Sequence, residues 1–362
     1  MPKILIFSDL HVHPHKRSTE RLGDCLKSLE WVFETAKERN IDDIVFCGDL
    51  FHERQHIDVL TYQKTFNIVE KYSDSFNLYL LLGNHDLWHF ERWDVSSVNP
   101  FRSMKNVVVI DQPTSLDVNI QGKACKFGFL PYTHNPIKDL KNIEWTDGEY
   151  PKLLFGHVAI DGAMWNVKYK VTAEVNIEHD GDMIAVGPEI FDDWEQVFLG
   201  HYHAEQVLGD NGNIEYVGSP LELSFGEAFQ DKHIIEYDLD TLEKVYIKNE
   251  FSPKHLILSE DDIDKYELEG NFIRLEVNDL ASADVIEMRN ELTENLKVGS
   301  LTIKQVQKSK EEEIELITEA KSILYQEDEM LEKYVNEVEI DEKLEKDKLL
   351  EVGKAICLDD CT

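Results

Sequence analysis

Five short apolar runs in this chain each stop at a polar motif built from Asp, Asn and His, and that recurrence constrains the fold more than any other feature. In chain order the motifs are Asp9-Leu10-His11, Gly48-Asp49-Leu50-Phe51-His52, Gly83-Asn84-His85-Asp86, Gly156-His157 and Gly200-His201-Tyr202-His203. The runs before them, Lys3–Phe7, Ile44–Cys47, Leu78–Leu82, Leu153–Phe155 and Val197–Leu199, read as short strands, as do Val107–Ile110 and Cys125–Leu130. Between the first two runs, Leu22, Leu26, Leu29, Val32, Phe33 and Ala36 recur at helical spacing from Glu20 to Arg39, so the chain opens β-α-β. Polar groups at the carboxyl ends of such strands are where α/β proteins gather their chemistry.

Any one of these motifs is weak, because an Asp or His at a strand end is usually a satisfied polar residue. Together they form a metal-ligand set. A two-metal site needs two cations about 3.5–4 Å apart that share a carboxylate and keep positions open for water and substrate. Imidazoles and carboxylates with one amide oxygen and no thiolate suit manganese or iron better than structural zinc. Asp-x-His and His-x-His place two ligands on the same side of an extended strand end. The glycines before Asp49, Asn84, His157 and His201 leave room for sharp turns and close backbone approach.

The chain has 362 residues, beyond the roughly 250–300 at which single cores stop growing, so about two structural units and an appendage are expected. Apolar residues at 42% and charged residues at 30% exclude a wholly disordered protein. No stretch approaches a membrane span, and the N-terminus reads as a first strand rather than a signal peptide. Cys25, Cys47, Cys125, Cys357 and Cys361 are odd in number and never spaced C-x-x-C, which argues against a disulfide framework or zinc knuckle and for a reducing cytoplasm. The net charge of −35 repels phosphate polymers unless metal ions or basic partners intervene.

In its motif order the chain resembles the calcineurin-like metallophosphoesterase superfamily, and within it the SbcD-type nuclease subunits of double-strand-break repair complexes. Phosphoprotein phosphatases of that superfamily carry Asp-Arg-Gly after the second motif and Glu after Asn-His. This chain has Leu50-Phe51-His52-Glu53-Arg54 and Asp86 there, which favours the nuclease branch. Tyr216-Val217-Gly218-Ser219-Pro220 with Phe225-Gly226-Glu227 also looks like the nucleases' closing segment. The resemblance implies an α/β fold, a metallophosphoesterase β-sandwich flanked by helices, and two divalent ions, Mn2+ with Fe2+ or Mg2+ as alternatives. It implies that Asp9, His11, Asp49 and His203 hold one ion and Asp49, Asn84, His157 and His201 the other. His85 would act at the leaving oxygen, Asp86 would orient His85, and His52 would help to place a DNA strand. The family usually has Gly where this chain has His13; His13 and His15 read as surface histidines outside the site.

Three regions follow: a metallophosphoesterase nuclease domain over 1–248, a small α+β capping domain over 249–309 and an acidic helical region over 310–362. In the second, Phe272–Val277 and Leu301–Val306 read as strands and Ser282–Asn295 as a helix. In the third, 18 Asp/Glu stand against 7 Lys/Arg, and apolar residues from Ile314 to Leu350 keep a helix-like spacing. By resemblance this last stretch would grip the coiled coil of an SbcC-like ATPase, and the protein would act as a homodimer on DNA ends, single strands or hairpins. Trp88, His89, Phe90, Arg92 and Trp93, with Trp165, Lys168, Tyr169 and Lys170, mix rings and cations in a way that suits nucleic acid. Two other classes compete with the nuclease: a stand-alone phosphatase or small-molecule phosphodiesterase, and a non-catalytic scaffold with a decayed site.

Overall fold

Alternation of apolar residues along the strands builds two sheets that share one interior. The computed structural model describes residues 1–14, 19–89, 92–146, 148, 150–164, 185–277, 288–289, 292 and 298–305. Strands β1 (Lys3–Phe7), β2 (Asp43–Phe46), β3 (Asn77–Leu81) and β4 (Val107–Ile110) run parallel. β5 (Thr114–Ile120) and β6 (Lys123–Leu130) form an antiparallel pair, and β6 is followed by the parallel strands β7 (Leu153–His157) and β8 (Gln196–Gly200). The short strands β9 (Gln206–Leu208) and β10 (Ile214–Tyr216) complete that sheet in the order β5-β6-β7-β8-β10-β9. β11 (His233–Asp238) then returns antiparallel to β1 and pairs with β12 (Lys244–Lys248), giving the first sheet the order β12-β11-β1-β2-β3-β4.

Because side chains alternate across a strand, each sheet splits its apolar residues between two faces. Ile4 and Ile6 of β1 join Val45, Leu81, Phe127, Phe129, Phe155, Phe198 and Ile235 in a core drawn from both sheets. Leu5 and Phe7 of the same strand face outward, into a second core with helix α1 (Thr19–Glu38). The face α1 buries is the one its spacing marked: Leu22, Leu26, Leu29, Val32, Phe33 and Ala36. A second helix, α2 (Val59–Ser73), starts where the Asp58 carboxylate accepts from the amides of Leu60 and Thr61. Its Val69 and Tyr72 join the same outer core. The mixed β core flanked by helices is therefore the β-sandwich expected of the motif order. Strands β5 and β9 to β13 and helix α2 carry no polar motif, and the sequence pattern does not mark them.

A third, three-stranded sheet, β13 (His255–Ser259), β14 (Phe272–Val277) and β15 (Ser300–Gln305), has the order β13-β14-β15, with β13 and β14 parallel. Leu256, Leu258, Leu268, Ile273, Leu275, Val277 and Leu292 give it an apolar cluster of its own. Residues Met1–Lys304 together form one compact unit. Most of the helix read at 282–295 and all of the acidic region 310–362 lie outside the described residues, as do Trp165, Lys168, Tyr169, Lys170, Phe90 and His15.

Candidate metal centre

The carboxyl ends of β1, β2, β3, β7 and β8 meet along one edge of the sandwich, and each contributes one motif. Beyond β1 and β2 the two loops keep a ladder: the amides of Asp9, His11 and Val12 donate to the carbonyls of Gly48, Asp49 and Leu50 at 2.9, 3.0 and 2.8 Å. His157 closes β7 in register with Gly200 at the end of β8. The means of convergence differs from the extended strand ends anticipated. Asp9, His11, Asp49 and His201 all have positive φ, at 51°, 45°, 62° and 106°, so the chain turns at each ligand instead of alternating past it. Such turns need space beside them. A Cβ on Gly83 would fall 2.1 Å from Asp49 Oδ1, and one on Gly200 would fall 2.1 Å from Ser8 Oγ and 2.3 Å from the Cys47 carbonyl.

The donor atoms face one another in a way that calls for cations. His157 Nδ1 lies 2.7 Å from the carbonyl of Cys47, which can only accept, so Nδ1 carries the hydrogen. In the neutral ring the Nε2 lone pair then points at two further acceptors, Asn84 Oδ1 at 3.0 Å and Asp49 Oδ2 at 3.4 Å. His203 repeats the pattern: Nδ1 donates to Glu227 Oε1 at 2.9 Å, and Nε2 stands 3.1 Å from His11 Nε2. His11 Nε2 is in turn 3.4 Å from the same Asp49 Oδ2 and 4.0 Å from Asp9 Oδ1. His201 Nδ1 completes the other side, 3.2 Å from Asn84 Oδ1. Acceptors aimed at acceptors repel unless positive charge lies among them. One carboxylate, Asp49, sits between the two groups, and the clusters make a potential dinuclear site for divalent cations.

A family model described as calcineurin-like phosphoesterase matches residues 2–235, which takes in all five motifs and both six-stranded sheets up to β11. The chain belongs to the calcineurin-like phosphoesterase family. Curated relatives of this phosphoesterase include Exonuclease subunit 1 of Enterobacteria phage T4, 23% identical over 68% of this chain and 68% of that protein. The SbcD subunit of nuclease SbcCD from Escherichia coli K12 is 24% identical over 67% of each chain. Its Bacillus subtilis namesake is 23% identical over 65% of this chain and 66% of its own.

Electrostatics in the phosphoesterase site follow from burial opposed by mutual charge. Burial would raise the Asp49 carboxyl, but His157, His85 and His11 hold it well below the usual range. Burial would lower His157, but Asp49 raises it to about 9. His11 and His201 have weaker anionic support, and burial pushes both down. Asp9 is raised, chiefly by burial. Neutral imidazole lone pairs and ionised carboxylates are the forms that bind metal ions.

Two of the remaining site residues sit where their sequence positions do not foretell. Asp86, expected to orient His85, accepts instead from the amides of Asp49 at 2.9 Å, Leu50 at 3.0 Å and Gly83 at 3.0 Å, and so fixes the turn that carries the shared carboxylate. The His85 ring is held by a backbone group: its Nδ1 donates to the His52 carbonyl at 2.6 Å. His52 itself reaches the cluster, with Nδ1 3.4 Å from His11 Nδ1. His13, expected on the surface outside the site, lies beside His52 with ring centroids 4.5 Å apart. Glu227 stands out in the sequence only as part of a closing segment, yet its carboxylate holds His203 and is itself held by Lys232 Nζ at 2.6 Å and Ser219 Oγ at 3.0 Å. The signal for it lay in Ser224-Phe225-Gly226-Glu227, a capped turn whose Ser224 hydroxyl accepts from Gly226. Near the third motif, Trp88 is exposed, but Arg92 is taken up in a two-pronged pair with Asp94 at 2.7 and 2.9 Å. Among the described residues no helix is long and apolar enough to cross a membrane.

Proposed function

We propose that this phosphoesterase is a manganese-dependent DNA exonuclease and endonuclease subunit that works with a coiled-coil ATPase of the SbcC kind. The observation that carries the reading is the placement of Asp49 Oδ2 at 3.4 Å from both His11 and His157, with the His52 and His85 rings gathered beside it. Asp9, His11, Asp49 and His203 would hold one cation, and Asp49, Asn84, His157 and His201 the other. The pair, when bound, supplies charge neutralisation on a phosphate and water acidic enough to react at neutral pH. The protein's own groups supply the rest. Glu227 keeps the His203 lone pair turned inward, as an outer carboxylate does for a ligating imidazole. His85, held through its Nδ1–H, is the group we assign to the departing sugar oxygen, the transferred proton coming from Nε2 of the doubly protonated ring. Asp86 holds the turn on which Asp49 is mounted, so that the shared carboxylate is set before substrate arrives.

The nuclease assignment draws on the curated names of the relatives and on residues that part this chain from phosphatases of the superfamily, His52 in place of their Asp-Arg-Gly and Asp86 in place of their Glu. A net charge of −35 calls for a cationic contribution from ions and partner before DNA can approach. The acidic amphipathic stretch from Lys310 to Lys354 is the segment we assign to the ATPase, and a second copy of the chain to the assembly. The test is hydrolysis of end-labelled duplex DNA with Mn2+, with and without the ATPase, beside a nucleotide monoester. Manganese-dependent release of labelled products, stimulated by the ATPase, is expected. Monoester turnover with intact DNA would replace the nuclease by a stand-alone phosphatase.

A further inference from the structure

We propose that His13, His52 and Glu53 form a third divalent-cation site at the mouth of the metal centre, outside the ligand set of the inner pair. Their donor atoms all lie within 4.8 Å of one another. The His13 and His52 rings, from two different loops, stand 4.5 Å apart at 38° to each other. This neighbourhood is built by the backbone. Val12 bridges Phe51 in parallel register, the Val12 amide donates to the Leu50 carbonyl at 2.8 Å, and Asp86 pins the second loop from behind through the amides of Asp49 and Leu50. Two histidines scattered on a surface would not be braced side by side in this way.

Two imidazoles and one carboxylate on one side of a cation suit a borderline first-row ion of the zinc, cobalt or nickel kind, and leave positions open for water or phosphate oxygen. The site faces outward: His13 is half-buried, and His52 and Glu53 are exposed. His52 belongs to two groups at once. It stands with His11 and His85 on the inner side and with His13 and Glu53 on the outer side, and its carbonyl holds the His85 ring. An ion on the outer trio places positive charge where a phosphodiester polymer must enter a strongly acidic protein. The role of the outer ion, binding a phosphate beside the one being cleaved, rests on the nuclease reading above; its existence does not.

Equilibrium dialysis of the full chain against Co2+, followed by a count of bound ions, decides the matter, with His13→Gly and Glu53→Gln as variants. Wild type should bind one ion more than either variant. If both variants retain the wild-type count, the outer site is overturned. The absolute count in the variants tests a separate claim, because two ions are expected there and fewer would sink the inner pair without touching the difference. On activity, His13→Gly should raise the KM for single-stranded DNA about tenfold, the loss of roughly one phosphate contact. Its kcat on bis(p-nitrophenyl) phosphate should stay at the wild-type level. An equal fall in kcat on both substrates would overturn the assigned role.

Discussion

Strand β2 has a buried aspartate at each end, and the two are stabilised in opposite ways. Asp43, 2% exposed, opens the strand among neutral partners, Asn77 Nδ2 at 3.0 Å and Tyr79 OH at 3.4 Å, and burial raises its pKa to about 6. Asp49, 1% exposed, follows the strand among imidazoles, and there burial loses to charge: His157, His85 and His11 hold the carboxyl well below its ordinary value. Burial alone thus makes a carboxyl group want its proton, whereas burial among convergent nitrogen donors makes it a shared anion. The difference lies in what the neighbouring strands bring. At the amino end of the sheet they bring structural hydrogen bonds, and at the carboxyl end three motifs that meet two more from the second sheet.

Four substitutions put this contrast to the test. Asp49→Asn removes the carboxylate common to both groups, and phosphodiester turnover with Mn2+ should fall by about 10³-fold or more as the bound-ion count drops. Turnover within tenfold of wild type would show that Asp49 is not shared. His85→Ala should cost about 10²–10⁴-fold in kcat with the ion count unchanged if, as proposed, the ring acts at the leaving oxygen and is not a ligand of the inner ions. Loss of ions in that variant would reassign His85 as a ligand. Glu227→Gln should weaken cation affinity by about 10–100-fold, measured by calorimetric titration, because it frees the His203 ring to turn.

The smallest effect belongs to the other end of the strand. Because the folded-state pKa of Asp43 is raised, its neutral form is the stabilising one, and that contribution is lost as pH rises through about 6. Asp43→Asn should therefore stabilise the protein at pH 8 by about 1 kcal/mol, a figure discounted for partial solvent screening, with little gain at pH 4. Urea unfolding at both pH values, at fixed metal concentration, measures it. A gain of the same size at pH 4 would trace the effect to packing rather than ionisation. Activity should not change, and that invariance marks the two ends of β2 as chemically separate.

What can be read before folding is uneven. Strands β1 and β4 and helix α1 are legible because apolar periodicity and flanking polar residues agree there. β11 and β12 are not marked, although β11 pairs with β1 at the centre of a sheet, because a central position is set by partners more than 220 residues away in the chain, as in Lys3 opposite Asp238. In the site, the residue types are legible but the contacts are not. Asp86 sits next to His85 in sequence, which invites a side-chain pairing, yet its carboxylate turns to three backbone amides and a carbonyl takes the ring. Glu227 and His13 carry little signal of their own, since an acid in a turn and a histidine on a loop are common.

The order of five motifs, each at the end of an apolar run, is enough without coordinates to mark this chain as a calcineurin-like phosphoesterase and to say which side chains would be drawn together. A motif records local chemistry, and local chemistry survives without knowledge of the fold. Folding fixed how the donors face each other: that Asp49 lies between two groups, that left-handed turns at Asp9, His11, Asp49 and His201 aim them, and that Glu227 steadies His203. Those relations depend on the register of two sheets and on loops packed side by side, which are properties of distant segments in contact, and no short stretch of sequence contains them.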